Sequence, residues 1–286
     1  MLKKKELQFV PVHHLVLWKR ANGEHGRTSN VSREYSFSVS KPTDPSLHTA
    51  FPSFFFHRLS FTFMETAIRI EGASRSSKFQ DGLALYSRLE PCLYPSLNPA
   101  LVLGHDISHH CPSLMYGELS GETLVKALGL IDELEALPRE GEGSLIDIGS
   151  GIGKQIFTAA CVYVWKRCIG VEIYEKRAKL AEQALQRWKS KQSSIPMLRT
   201  RVVDFACDDI VEIEMEGFQV ILLVSAAFTD TLMRSIAKVL DSQAVGTLAI
   251  CITKALPGPK WEVVHKSERE EPWGRAWLII QKKILA

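Results

Sequence analysis

The stretch "SLIDIGSGIGKQI", Ser144 to Ile156, joins a short apolar run to a turn with three glycines at alternate positions. Leu145, Ile146 and Ile148 follow the charged segment Arg139 to Gly143 and stop at Gly149, which reads as a parallel strand covered on both faces. Beyond Gly153, the residues Ile156, Phe157, Ala160, Cys161 and Val164 fall at helical spacing. The unit is therefore strand, tight turn, helix. Glycine permits positive φ and carries no Cβ, so the turn is built for close approach to the backbone. Helix N-termini after glycine turns commonly hold phosphates, yet two phosphate motifs fail here. The dinucleotide fingerprint G-x-G-x-x-G needs glycine where Lys154 stands, and the P-loop pattern needs glycine at Ile148 and Ser or Thr at Gln155.

What remains is D-x-G-x-G-x-G, Asp147 to Gly153, which resembles the first motif of class I S-adenosylmethionine-dependent methyltransferases. That resemblance implies that Gly149, Gly151 and Gly153 lie under the methionine part of the cofactor. A second strand, "CIGVEIY" (Cys168 to Tyr174), carries Glu172 near its end, 19 positions after Gly153. A carboxylate at that distance, at the carboxyl end of the second strand, can accept both ribose hydroxyls. Arg167 and Arg177 are each five positions away, so nothing adjacent in sequence points to a 2′-phosphate.

Working outward, Leu124, Leu128, Ile131, Leu134 and Leu137 make a helical stripe over residues 123–137, ended by Pro138. "YEKRAKLAEQALQRWKSK" (174–191) is an amphipathic helix whose basic face reads as solvated surface. Strands are expected at 199–205, 218–225 and 247–253, with a helix from about 229 to 240 and two further strands near 261–265 and 276–282. Such alternation predicts an α/β fold, a doubly wound Rossmann-like seven-stranded methyltransferase sheet with an antiparallel C-terminal hairpin. Residues 116–286 form the S-adenosylmethionine-binding domain in this reading. Residues 64–115, with "FQDGLALYSRL", form an entry region of short elements. Residues 1–63 show no sustained period, hold nine Lys/Arg against four Asp/Glu, and read as a flexible extension or as sequence upstream of an initiator at Met64.

"YGEL" (Tyr116 to Leu119), "DIGSGIGKQIFTAA", "GVE" and "DFACDD" (Asp204 to Asp209) together resemble the catalytic core of the disruptor-of-telomeric-silencing family, the non-SET histone-lysine methyltransferases. The resemblance spans roughly residues 114 to 253. It implies that Tyr116 and Glu118 close over the cofactor, that Glu172 holds the ribose, that Asp204 meets the adenine amino group and that Phe205 stacks on its ring. One departure stands out: where the family has a paired asparagine motif bordering the lysine channel, this chain reads "LLVSAAFTD", with Ser225 and Ala226 at the matching positions. Tyr116, Ser225 and Phe228 are the candidate substrate-channel residues, with core packing as the competing reading of Phe228. No residue declares itself as the catalytic base; Asp208 and Asp209 are candidates for an acidic lip or a solvated loop.

The function expected is methylation of a protein lysine, with histone or nucleosome as partner and the nucleus as compartment, the cytoplasm or an organelle being the alternatives. A methyltransferase for RNA or a small molecule, and a cofactor-binding protein without catalysis, remain open alternatives. Composition fits one substantial α/β core: 286 residues, 45% hydrophobic, with no apolar run long enough to span a bilayer. Six cysteines lack CxxC spacing and read as buried free thiols. "HDISHHC" (105–111) has zinc-ligand residue types but no second pair at finger spacing, so no metal is expected there. Nucleic-acid binding has no motif beyond the basic face of the helix over 174–191.

Overall fold

The structure, a computed structural model, describes residues 75–97, 102 and 115–286, together with three short strands near the N-terminus at Lys5–Glu6, Phe9–Val12 and Leu15–Trp18. The rest of residues 1–74 and the "HDISHHC" stretch lie outside the described residues. Of the short strands, Phe9–Val12 pairs with Leu15–Trp18, and Lys5–Glu6 pairs in parallel with Ile213–Glu214.

Seven strands form the central sheet: β1 (Ser144–Ile148), β2 (Arg167–Glu172), β3 (Val203–Cys207), β4 (Val220–Val224), β5 (Leu248–Ile252), β6 (Trp261–Glu271) and β7 (Gly274–Lys283). Their order is β3-β2-β1-β4-β5-β7-β6. The first five run parallel; β7 inserts antiparallel between β5 and β6. This is the doubly wound sheet with a C-terminal hairpin that the alternating pattern predicts.

Alternate residues of the buried strands feed two cores. Leu145, Leu222 and Ile250 point into one, with side chains from α1 (Arg75–Leu93), α2 (Gly121–Glu133), α3 (Lys154–Val162) and α4 (Glu175–Gln192). Ile146, Ile148, Ile221 and Leu223 point into the other, closed by Met233 and Ile236 of α5 (Asp230–Val239). β1, β4 and β5 are apolar nearly throughout because both faces are covered.

Several boundaries differ from expectation. The entry region contains one 19-residue helix, α1, rather than short elements, and Phe79, Tyr86, Leu89 and Leu93 anchor it on the core. α2 stops at Glu133, leaving Leu134 half-exposed, because Glu135 takes a positive φ. A 3-10 turn at Pro196–Leu198 delays β3 to Val203, and the hairpin strands run to 11 and 10 residues. Among the described residues no helix is long and apolar enough to cross a membrane.

Candidate functional site

The carboxyl ends of β2, β1 and β4 meet at the point where the chain order reverses, which is where open α/β sheets take ligands. A cleft of about 880 Å³ opens there, lined by both sides of the sheet top. Its polar half includes Asp147, Ser150, Lys154, Glu172, Arg177, Asp208 and Asp209; its apolar half includes Met115, Ala226, Ala227, Phe228, Leu232 and Trp273.

The glycine turn is pinned to the neighbouring strand. Gly149 and Ser150 N–H groups donate to the Val171 carbonyl at 2.8 and 3.0 Å. Glu172, buried at the tip of β2, points back at the turn: its Oε2 accepts the Gly151 N–H at 2.8 Å and its Oε1 accepts the Tyr174 N–H at 2.8 Å. Each carboxylate oxygen has a further lone pair for a ligand hydroxyl. Gly151 sits at φ +56°, and a Cβ there would come within 2.5 Å of the Tyr116 ring. At Gly151 the bare backbone thus receives an aromatic ring.

Tyr116 is part of a charged chain of contacts. Its hydroxyl donates to Glu118 Oε1 at 2.7 Å, Glu118 Oε2 accepts from Lys154 Nζ at 2.7 Å, and Lys154 also pairs with Glu90 of α1 at 2.9 Å. The Arg177 guanidinium lies over the Tyr116 and Tyr174 rings at 4.9 and 5.1 Å. Burial, then the Glu118 charge, pushes the Tyr116 phenol far above its ordinary value. Burial opposes the Lys154 charge, but its two carboxylate partners outweigh that and raise its pKa.

Asp147 is a strongly perturbed carboxyl. It is completely buried, Oδ1 has no hydrogen-bond partner, and burial with the nearby Glu172 charge pushes its pKa up to about 8. Ser150 Oγ is likewise buried without a partner. A polar ligand carrying a cationic group, hydroxyls and an apolar body fits these unpaired oxygens and the carboxylate at Glu172, and S-adenosylmethionine has that chemistry.

Five expected site residues do not line the cleft: Gly151, Gly153, Asp204, Phe205 and Ser225. Asp204 and Phe205 do not line the cleft, because β3 pairs with β2 in a register that sets Asp204 against Ile169, Phe205 against Gly170 and Cys207 against Glu172. Phe205 is 8% exposed; its ring presses on Gly153 and Gly170 and tilts against Phe157 at 5.4 Å between ring centres. Asp208 and Asp209, just past the strand end, are the acids that reach the cleft. Ser225 is fully buried behind the wall, its hydroxyl within donating distance of the carbonyls of Ile252 at 2.7 Å and Lys254 at 2.9 Å. It therefore lines no channel.

Tyr116, Glu118, Asp147, Gly149, Glu172 and Phe228 are brought together on the cleft, whereas the open face of Gly151 meets the Tyr116 ring and that of Gly153 meets the Phe205 ring and Ala181. Phe228 both packs on the second core and lines the cleft, its ring against Gly149. Sequence reasoning missed Trp273, which arrives from the β6–β7 turn to lie on Gly117, and the roles of Lys154 and Arg177. The buried Glu271 also went unseen: it accepts from Ser120 N–H at 2.8 Å and from the Thr123 hydroxyl, tying the Tyr116–Ser120 loop to the hairpin.

Solved structures with similarity to this chain include TrmN from Thermus thermophilus, at 18% identity over 56% of this chain and 48% of that one, with a TM-score of 0.42. The N-methyltransferase NodS from Bradyrhizobium japonicum WM9 matches at 14% identity, over 57% and 96% of the two chains, with a TM-score of 0.41. TrmK from M. capricolum, in complex with S-adenosyl-homocysteine, matches at 11% identity over 53% and 66%, with a TM-score of 0.37. This chain thus spans about half the length of TrmN. No curated protein matches it. The family model of the histone methylation protein DOT1 matches residues 109–271, more than half of the chain. That span takes in the Tyr116 loop, the glycine turn, Glu172 and the whole cleft apart from Trp273. The chain belongs to the family of the histone methylation protein DOT1.

Proposed function

We propose that this protein transfers a methyl group from S-adenosylmethionine to a lysine amine of a protein, with histone or nucleosome as the substrate and the nucleus as its place of action. The observation that carries this reading is the DOT1 family match over residues 109–271, which coincides with the cleft. Glu172 accepts the ribose hydroxyls, the turn from Gly149 to Gly153 with the Tyr116–Glu118 loop holds the methionine part, and Asp208 takes over from Asp204 at the adenine edge. When bound, the cofactor supplies an electrophilic methyl group on a sulfonium.

The protein's own part is to align the acceptor and exclude water, a gain from orientation. A lysine amine must lose a proton whose ordinary pKa is about 10.4. The apolar half of the cleft, with Ala226, Ala227, Phe228 and Trp273, disfavours the ammonium form by desolvation and so favours the nucleophilic amine. One observation supports a second reading, a small-molecule or RNA acceptor: Ser225 and Ala226 stand where the family's paired asparagines would border the lysine channel.

The test is transfer of labelled methyl to nucleosomes, free histones, RNA and small metabolites by full-length protein with measured cofactor binding. Label on a nucleosomal or histone lysine supports the first reading. Label confined to RNA or metabolites replaces it with the second, and cofactor binding with no transfer to any acceptor removes catalysis.

A further inference from the structure

The wall that carries Phe228 is held from behind by an arrangement outside the cleft. Just past the end of β5 stands Thr253, a β-branched residue at φ +81°, a conformation such residues rarely adopt. Its N–H donates to the Trp277 carbonyl of β7 at 2.7 Å, so the strained turn is fixed to the sheet. The turn sends Lys254 back over the end of β4. There the Ser225 hydroxyl accepts the Lys254 N–H at 3.1 Å, and the Lys254 ammonium donates to the Phe228 carbonyl at 2.7 Å and to Asp230 Oδ1 at 3.2 Å.

The placement runs against local electrostatics. Phe228 directly precedes Thr229, the N-cap of α5, and the N-terminal end of a helix favours anions over cations. An ammonium there therefore needs a specific partner, and the Phe228 carbonyl is that partner. The Asp230 contact adds little, because that carboxylate is largely exposed and screened. The same carbonyl belongs to the residue whose ring rests on Gly149 and lines the cleft.

We propose that Ser225, Thr253 and Lys254 form a latch that positions Phe228 against Gly149 on the wall of the cleft, with Lys254 as a positioning residue for methyl transfer. The inference rests on the methyltransferase reading above. It assigns to a serine hydroxyl and a lysine ammonium the task of holding a segment that lacks the family's paired asparagines.

The test compares Lys254→Met and Lys254→Arg with the wild-type full chain by amide hydrogen exchange, cofactor titration and methyl transfer. In Lys254→Met, exchange at residues 226–229 rises about tenfold or more while β5 stays protected. Affinity for S-adenosylmethionine stays within about threefold, since the latch lies behind the wall. Turnover of the accepted substrate falls about ten- to a hundredfold, as expected from a small displacement of an aligning group. Lys254→Arg restores both exchange and turnover. Unchanged exchange at 226–229 in Lys254→Met overturns the latch, as does a uniform rise in exchange across β4, β5 and α5. A wild-type protein that binds cofactor but methylates no acceptor removes the catalytic reading and leaves the exchange result to decide the latch.

Discussion

Replacing Glu172 with alanine separates a ligand-holding carboxylate from one that only caps a turn. In the free protein Glu172 accepts two backbone N–H groups at 2.8 Å, from Gly151 and Tyr174, and removing it leaves both donors to the cleft water. Each orphaned donor costs about 1 to 3 kcal/mol when it stays dry, and less where water reaches it. Against that loss, burial raises the Glu172 pKa, so the wild-type protein holds a carboxylate that the fold disfavours as an anion. The two effects oppose each other, and the free protein should lose no more than about 2 kcal/mol. The cofactor-bound state should lose far more. Two hydroxyl contacts to a charged acceptor contribute about 1.5 to 3 kcal/mol each, so the affinity for S-adenosylmethionine should fall about 10²- to 10⁴-fold. Isothermal titration at 25 °C, paired with urea unfolding of the free protein, measures both quantities. An alanine variant that binds cofactor within about threefold of wild type would refute the assignment of the ribose site. So would a loss of affinity that merely tracks unfolding.

Three further outcomes follow from the same geometry. Asp147 titrates near 8 in the folded protein, far above a carboxyl's ordinary value, so between these limits the native state holds a proton that the unfolded chain releases. Native stability from this group is therefore complete at acid pH and is lost as pH rises towards 8, by at most about 1.4 kcal/mol per pH unit. Asp147→Asn should flatten that slope in urea unfolding of the free protein between pH 5 and 8, and an unchanged slope would contradict it. Gly153→Ala puts a Cβ 2.4 Å from the Phe205 ring at φ +91°. Left-handed strain and overpacking together should cost about 2 to 5 kcal/mol, seen as a lowered urea midpoint. Lys154→Met removes the link between Glu90 and Glu118, and thermal unfolding should show a loss of about 1 to 3 kcal/mol, with faster amide exchange in residues 115–120.

The order of elements from β1 to α4 was legible because each rests on short-range periodicity. Leu145, Ile146 and Ile148 read as a strand, the alternate glycines as a turn, and Ala181, Ala184, Leu185 and Trp188 as the buried face of a helix. Glu172 could be placed at a strand tip from spacing alone, and the structure turns it onto Gly151. Element ends were less legible. A positive φ at Glu135 and the 3-10 turn at Pro196–Leu198 end or delay elements whose apolar period continues past them.

The division falls between local pattern and long-range pairing. Residue period and glycine placement alone determined the doubly wound sheet, the bare turn at Gly149 to Gly153 and the acid at Glu172, since each depends on neighbours a few positions apart. Tertiary structure decided which acids of "DFACDD" face the cleft, because only the β2–β3 register sets Asp204 in mid-strand and Asp208 beyond its end. It also decided that Trp273 covers Gly117, that Glu271 holds the start of α2 and that Ser225 turns inward to β5. Those contacts join residues 27 to 156 positions apart, and no local period records which distant side chain will arrive.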